Sequence, residues 1–308
     1  MWRTSCRWHG IKRLTPVIVF SLVIAKMRLS RYFERTARST VLESASSFAS
    51  RFRVPAMTSN VETDKHFLRT WKGIMSFRNN PQGLVRYIRP ETEIVAAGSS
   101  RTCAKILDVL AALFAELSLM EDHEVMIAYG GLIHVRREED FVNKTSGKYF
   151  DDDIDIWVNH NAMRRLVQLE PILFNKFGWT VRLYTFGSYI VFAQIVAMCG
   201  HAPVAKVMKV RENEPAIDVY PLSEVYKDNT IFLKDLWQGT IFSESMIYPT
   251  TPHELVSHIA TQPVMMQLPA KDKEILSCVY GDWKARSRKH ARTSLKCVSM
   301  SEESGKSN

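Results

Sequence analysis

Hydrophobic and polar positions between residues 104 and 220 follow two periods, one helical and one extended. Apolar residues recur at helical spacing over 104–120 and 162–177, which predicts two helices. A short helix over 132–137 and a polar loop over 138–150 complete this part of the pattern. Extended runs predict strands at 125–129, 152–158, 180–186, 189–196, 204–210 and 216–220, the last ending at Pro221. Helices interspersed with strands predict an α+β (mixed α/β) fold, a sheet flanked by helices.

The N-terminal region has an apolar run over 14–25 with basic residues on both sides. The run is shorter than the roughly 20 residues of a membrane-spanning helix. A basic start before a short apolar segment is typical of a secretory signal or signal anchor, which we place at residues 1–29. We therefore expect a single-pass type II membrane protein of the Golgi or endoplasmic reticulum. A mitochondrial transit peptide remains the alternative, because the region is rich in Arg and Ser and poor in acidic residues.

Composition divides the rest of the chain into three parts. Residues 30–84 include a stretch rich in Ser, Thr and Ala and are interpreted as a stem or linker. Residues 85–290 form the predicted folded domain, and residues 291–308 a disordered basic and Ser-rich tail. The net charge of +9 partly reflects the two basic ends, so it does not indicate a nucleic-acid-binding face.

The five cysteines include no CxxC pair. Their spacing therefore predicts neither a zinc site nor a disulfide framework, and buried thiols are the expected state.

An acidic run, Asp151–Asp155, leads into the strand predicted at 152–158. Alternate side chains on a strand share a face, so Asp153 and Asp155 point the same way. Two such carboxylates repel each other unless a cation offsets their charge, and Mg²⁺ or Mn²⁺ prefers oxygen ligands. A solvated turn at the start of the strand is the alternative interpretation.

Two further features could complete a phosphate site. Gly130 and Gly131 follow a predicted strand, and glycines at a strand-to-helix turn let backbone amides approach a phosphate. Asp218 lies between apolar residues of a later strand, where an unpaired acid is costly, so it could supply a third carboxylate to the metal. An Asp bonded to a nearby Arg or backbone amide is the alternative for Asp218.

Four segments resemble the LicD/fukutin-related family in the same order: YGGLIHVRR, FDDDIDIWV, AIDVYPL and YGDW, spanning roughly residues 125–285. The resemblance implies a nucleotidyltransferase-like fold and the transfer of a phospho-alcohol, such as phosphocholine or ribitol phosphate, from a CDP-linked donor to a glycan. In ungapped register it aligns Arg137 with the family's arginine and Asp151, Asp153 and Asp155 with its acidic cluster. His134 is interpreted as a structural histidine rather than a base.

These observations give one set of expected site residues. Asp151, Asp153, Asp155 and Asp218 are the catalytic candidates, and Asp153, Asp155 and Asp218 the metal ligands. Gly130, Gly131 and Arg137 are the candidates for binding substrate phosphate. The alternatives are a nucleotidyltransferase acting on nucleic acid and a catalytically inactive glycan-binding relative.

Overall fold

Most strands form in runs rich in β-branched and aromatic residues. The computed structural model describes residues 84–88, 103–119, 122, 124–186, 189–198, 215–227, 230–285 and 296–297. Strands within these residues are β1 Leu84–Tyr87, β2 Val125–Ile127, β3 Asp153–Val158, β4 Trp179–Phe186, β5 Tyr189–Ala197, β6 Ala216–Lys227, β7 Thr230–Asp235, β8 Ile241–Ser243, β9 Thr251–Leu255, β10 Val264–Leu268 and β11 Lys296–Cys297. The α-helices are α1 Ile106–Leu117, α2 Tyr129–Ile133, α3 His160–Ile172, α4 Glu244–Ile247 and α5 Asp272–Tyr280. Helix α2 continues into a π-helical turn, His134–Glu138, and α3 into another, Leu173–Phe177. The fold is therefore α+β, as predicted.

Strand β6 is long enough to take part in two successive pairings. Its first half pairs with β3 on one side, in parallel, and with β5 on the other side, antiparallel. Its second half pairs antiparallel with β7. The sheet order is β1-β4-β5-β6-β7-β8-β11, with β2 joined to the free side of β3. Strand β3, which begins with the acidic run, thus lies next to the strand that carries Asp218.

The predicted helices and most of the predicted strands are present, with ends displaced by a few residues. The strand predicted at 204–210 lies outside the described residues. The strand predicted to end at Pro221 instead continues to Lys227. Pro221 has no N–H to donate, but it lies between the last residue paired with β5, Val219, and the first residue paired with β7, Leu222. The change of partner at this point tolerates the proline.

Helices α1 and α3 pack against each other and against β6, and α3 also packs on β3 and β4. The residues that alternate with the acids, including Ile154 and Ile217, are fully buried and point to the opposite face from the carboxylates. Helix α3 begins at a capping residue, because the Asn159 side chain accepts a hydrogen bond of 2.9 Å from the Ala162 N–H. Helix α2 packs on β3 and against α5.

The segment predicted as a polar loop, 138–150, is partly buried. Asp140 is fully buried, and its Oδ1 accepts hydrogen bonds from the backbone N–H groups of Phe141 (2.8 Å) and Val142 (3.3 Å). Phe141 and Val142 are buried as well. The Asp140 carboxylate therefore orders the segment that precedes the acidic run.

The end of the chain also departs from the prediction. Lys296–Cys297 forms β11, which pairs in parallel with β8, and a disulfide joins Cys297 to Cys278 on α5. Neither a disordered tail throughout 291–308 nor free buried thiols at these two cysteines is correct. The two cysteines are 19 residues apart, so their pairing depends on the fold and not on a local motif. The predicted stem must likewise end before Leu84, because Leu84 pairs with Phe186.

The disulfide should contribute measurably to stability. We expect the Cys278→Ser/Cys297→Ser variant to lose about 3 kcal/mol of unfolding free energy, because the bond closes a short loop in the unfolded chain. Urea unfolding of the two proteins under non-reducing conditions measures the difference. Equal free energies of unfolding would show that the bond does not form in the folded protein.

Among the described residues, no helix has both the length and the apolar character needed to cross a membrane. The predicted anchor, residues 1–29, lies outside those residues.

Candidate metal centre

Three carboxylates meet on one face of the sheet, where β3 runs parallel to β6. The strand register pairs Asp155 directly with Asp218, and Asp153 lies two residues earlier on β3, on the same face. One carboxylate oxygen from each of the three residues lies within 4.8 Å of the other two. Asp218 therefore lies beside the other two acids, where it could supply the third carboxylate that was predicted for the metal.

Burial and mutual repulsion act strongly on this group. Asp155 and Asp218 are buried and Asp153 is half-buried. Burial, followed by the neighbouring Asp155 and Asp218, raises the pKa of Asp153 to about 9. Burial and Asp155 raise the pKa of Asp218 to about 7, although hydrogen bonds from Gln194 and Tyr220 lower it. At neutral pH the cluster keeps protons unless a cation offsets its charge.

The donor set fits a hard divalent cation. All three donors are carboxylate oxygens, the ligand type preferred by Mg²⁺ and Mn²⁺. An octahedral ion with ligands at about 2.1 Å places neighbouring oxygens about 3 Å apart and opposite oxygens about 4.2 Å apart. The three ligand oxygens lie within 4.8 Å of one another, which is close to that spacing. Asp153, Asp155 and Asp218 are therefore the residues that could hold the ion.

Asp151 and Asp152 lie at the exposed side of the cluster, just before β3. With Asp153 they form a second group of acids whose ligand oxygens lie within 4.8 Å of one another. Burial acts against ionisation of Asp151, but the His134 imidazole and hydrogen bonds from Asp152 lower its pKa overall. The hydrogen bond to Asp151, followed by burial, raises the pKa of Asp152. Asp151 is thus the member of this pair whose pKa is lowered.

His134 packs beside Asp151. Its Nε2 lies 3.8 Å from Asp151 Oδ2, and its ring stacks on Phe150 with centroids 5.4 Å apart. The residue is buried, at 8% exposure. This environment agrees with the interpretation of His134 as a structural residue.

The glycine turn contacts the acids through the backbone. The Gly130 N–H donates a hydrogen bond of 2.8 Å to Asp155 Oδ2. This amide, expected to bind a substrate phosphate, therefore has a partner within the protein and could bind phosphate only if Asp155 moved. A Cβ on Gly131 would lie 3.0 Å from the Asp155 carbonyl oxygen and 3.0 Å from Ile127 Cγ2. Gly131 is required because α2 packs closely on β3.

Alanine at these two glycines should have different consequences. A Cβ at Gly130 would lie 3.0 Å from Asp155 Oδ2, so Gly130→Ala should displace a metal ligand and weaken Mn²⁺ binding about tenfold. In Gly131→Ala the new Cβ would press against the backbone of Asp155, so the free energy of unfolding should fall by about 1–3 kcal/mol. Mn²⁺ titration and urea unfolding of both variants separate the two effects. Identical profiles for the two variants would contradict the assigned roles.

Tyr129, which precedes the glycines, has a backbone conformation that is rare for a side chain of its size. Its φ is 34°, and such left-handed backbone costs about 1–3 kcal/mol. The cost is offset by burial and by a hydrogen bond of 2.6 Å from the Tyr129 hydroxyl to Asp235 Oδ2. Trp157 packs edge-to-face on the ring and donates its Nε1–H to the same oxygen. No local pattern pointed to Asp235, because β7 was not predicted from the sequence.

Arg137, which was predicted to bind substrate phosphate, contacts neighbouring groups of the protein. Its Nε donates to Glu138 Oε1 at 2.7 Å, and its Nη1 lies 3.3 Å from the carbonyl oxygens of Trp283 and Ala285. Trp283 belongs to the YGDW segment, so two of the segments that carry the family resemblance touch each other here. These contacts assign Arg137 to holding the chain after α5, and phosphate binding by Arg137 remains a prediction.

Sequence reasoning missed two residues that touch the cluster. Gln194 on β5 donates its Nε2–H to Asp218 Oδ1 at 2.9 Å, and the Tyr220 hydroxyl lies 3.4 Å from Asp218 Oδ2. Tyr220 could have been found, because it lies two residues after Asp218 on the same strand face. Gln194 had no comparable signal, since it reaches Asp218 only through strand order.

Comparison of the chain with protein-family models and with curated proteins gives no match in either case.

Proposed function

We propose that this chain is a metal-dependent phosphotransferase of nucleotidyltransferase type, which moves a phospho-alcohol from a CDP-linked donor to a glycan or glycoconjugate. The observation that carries the proposal is the convergence of Asp153, Asp155 and Asp218 from two neighbouring strands, beside a glycine turn that opens a helix. Phosphoryl transfer requires positioning and charge stabilisation rather than covalent participation of the protein, and a carboxylate-held cation meets that need. The donor and acceptor classes rest on the resemblance to the LicD/fukutin-related family.

The reaction forms a bond from the acceptor hydroxyl oxygen to the phosphorus that bears the donor's alcohol, and breaks the bond from that phosphorus to CMP. Asp153, Asp155 and Asp218 would hold Mg²⁺ or Mn²⁺. When bound, the ion stabilises negative charge on the attacking and leaving oxygens. CMP leaves with the bridging oxygen and its electron pair.

The hydroxyl proton needs an acceptor that is charged and accessible. Asp151 meets both conditions, because its pKa is lowered overall and its side chain is 47% exposed. His134 beside it stabilises the charged form of Asp151 before transfer. Asp151 is therefore assigned as the base. Asp153, Asp155 and Asp218 would bind the metal ion and take no part in transfer of the substrate proton.

A screen of CDP-linked alcohols tests the proposal. The purified full-length chain is incubated with each donor, a glycan acceptor and Mg²⁺ or Mn²⁺, and free CMP is measured. We expect CMP release from at least one donor, with loss of release in EDTA and recovery on adding excess metal. Glu254→Gln, an exposed acid on β9, is the matched control and should leave CMP release unchanged.

Two other outcomes identify the alternatives. Incorporation of nucleotides into RNA, with no CMP release from any CDP-linked alcohol, would overturn the proposal in favour of nucleic acid as the substrate. Metal binding without any transfer or hydrolysis would indicate an inactive glycan-binding relative.

The proposed location is the secretory pathway, with the folded domain in the lumen. The disulfide between Cys278 and Cys297 supports this, because such bonds persist in oxidising compartments. Asn143-Lys144-Thr145 is an N-glycosylation sequon, the kind of sequence that is modified in the lumen, and it lies in a turn in which Lys144 and Thr145 are exposed. Asn143 Oδ1 accepts hydrogen bonds from the backbone N–H groups of Thr145 and Ser146, which orders this turn.

A fusion of residues 1–60 to a fluorescent reporter should mark the Golgi or endoplasmic reticulum, because the short apolar run with basic flanks directs secretory targeting. Microscopy against organelle markers measures the location. Import into mitochondria, with cleavage of the fusion, would show that the transit-peptide interpretation is the right one.

A further inference from the structure

A row of polar side chains crosses four adjacent strands on the carboxylate face. Arg182 on β4 is paired in register with Gln194 on β5, and Gln194 with Asp218 on β6. Asp218 is in turn paired with Asp155 on β3. The row therefore leads from a buried guanidinium to the candidate metal ligands, one residue per strand.

The hydrogen bonds in this row have a fixed direction. A guanidinium can only donate, so the Arg182 Nη1–H, 3.2 Å from Gln194 Oε1, sets which end of the amide faces β4. The Gln194 Nε2–H₂ group then faces β6 and donates to Asp218 Oδ1 at 2.9 Å. With the amide reversed, its NH₂ would face the Arg182 donors and its carbonyl oxygen the Asp218 carboxylate. Arg182 thereby orients the donor that holds Asp218.

The row also lies beside a layer of packed aromatic side chains. Arg182 is buried, at 5% exposure. The same face carries aromatic rings that contact one another next to the polar row. They lie two residues after Asp155 on β3 and Asp218 on β6, and two residues before Gln194 on β5. Tyr184 packs on Phe192, Phe192 on Tyr220, and both Tyr220 and Trp157 pack on Tyr129. This aromatic layer limits side-chain movement beside the polar row.

We propose that Gln194, oriented by Arg182, is a positioning residue that holds the Asp218 carboxylate in the orientation required for binding the divalent cation. This inference rests on the proposed metal site and adds to it two residues that do not touch the ion. A hydrogen bond from Gln194 to one carboxylate oxygen restricts rotation of the carboxylate and leaves further lone pairs for a cation.

A neutral amide suits this position better than a second charge. Neighbouring strands are about 4.8 Å apart, so β5 separates the Arg182 strand from the Asp218 strand by about 10 Å. An arginine in direct contact with Asp218 would compete with the cation for the carboxylate charge. Gln194, itself oriented by Arg182, orients the Asp218 carboxylate without neutralising its charge.

The test is a double-mutant cycle on the full-length protein, with Mn²⁺ affinity measured by electron paramagnetic resonance at fixed pH. We expect Gln194→Met to weaken Mn²⁺ binding about tenfold or more, since outer-shell substitutions typically cost 10–100-fold. Arg182→Met should also weaken binding. The double variant should bind Mn²⁺ no more weakly than Gln194→Met alone, because Arg182 acts through Gln194. Arg182→Lys, which can still donate to Gln194 Oε1, should restore affinity to within about threefold of the wild type.

A structural control separates positioning from general loss of stability. Thr180 lies two residues before Arg182 on β4, and its hydroxyl donates to the buried Glu170 at 2.7 Å. Thr180→Val should lower the melting temperature and leave Mn²⁺ affinity unchanged.

The possible failures are distinguishable. The positioning role is overturned if Gln194→Met binds Mn²⁺ with wild-type affinity, or if the losses of affinity add in the double variant. Neither result contradicts the metal site itself. A loss of Mn²⁺ affinity in Thr180→Val equal to that in Gln194→Met overturns it as well, because stability alone would then explain the effect. Absence of Mn²⁺ binding by the wild-type protein overturns the metal site and the positioning role together.

Discussion

Replacing Asp153 with asparagine is expected to reduce CMP release at least about a thousandfold, equivalent to about 4 kcal/mol of transition-state stabilisation. The amide keeps the shape of the side chain but removes one of three negative charges that would hold the cation. Stability of the metal-free protein should hold or rise, because the amide does not carry the cost of burial and of repulsion by Asp155 and Asp218 that raises the pKa of Asp153. CMP release and urea unfolding are measured on the same preparation.

Measuring activity and stability together distinguishes loss of a metal ligand from misfolding. A misfolded variant loses both, whereas removal of a metal ligand loses activity alone. Glu254→Gln serves again as the exposed control. Unchanged Mg²⁺ affinity and unchanged turnover in Asp153→Asn would exclude Asp153 from the metal site.

The second large effect is a dependence of stability on pH in the absence of metal. The pKa values of Asp153 and Asp218 rise on folding, to about 9 and about 7, from a usual value of 3.8. A carboxyl group whose pKa is raised in the folded state favours folding while it is protonated, and this contribution is lost as the pH rises through the window from about 4 to about 9. We expect the melting temperature in EDTA to fall by at least about 5 °C between pH 5 and pH 9.

Other groups titrate in the same range, so the comparison requires a variant. Burial also raises the pKa of Glu124, for example. The difference between the wild type and Asp153→Asn isolates the cluster, and the variant should show a shallower decline because its amide cannot ionise. Saturating Mg²⁺ should stabilise the wild type more at pH 8 than at pH 6, since metal binding displaces protons. Parallel curves for the two proteins would contradict the assigned titration.

The part of the site that follows from local pattern was predictable. Alternation along β3 places Asp153 and Asp155 on one face, and this can be read from six residues of sequence. Asp218 was identified because an acid between apolar residues of a strand requires a partner. The structure supplies that partner by setting β6 next to β3 in a register that pairs Asp218 with Asp155.

The parts that were missed depend on contacts between distant segments. Gln194 and Arg182 are ordinary polar residues of two strands, and only the antiparallel pairing of β4, β5 and β6 brings them to Asp218. The disulfide was missed for the same reason, because α5 and β11 bring its cysteines together. Gly130 was predicted to face a phosphate, but the fold places Asp155 opposite its N–H.

Diffraction at the manganese absorption edge, from crystals grown with Mn²⁺, can locate the ion directly. We expect an anomalous peak between β3 and β6, within coordination distance of carboxylate oxygens from Asp153, Asp155 and Asp218. Gln194 should remain hydrogen-bonded to Asp218 when the ion is bound. A peak at another place in the protein, or no peak at saturating Mn²⁺, would contradict the assignment of these three carboxylates as a metal centre.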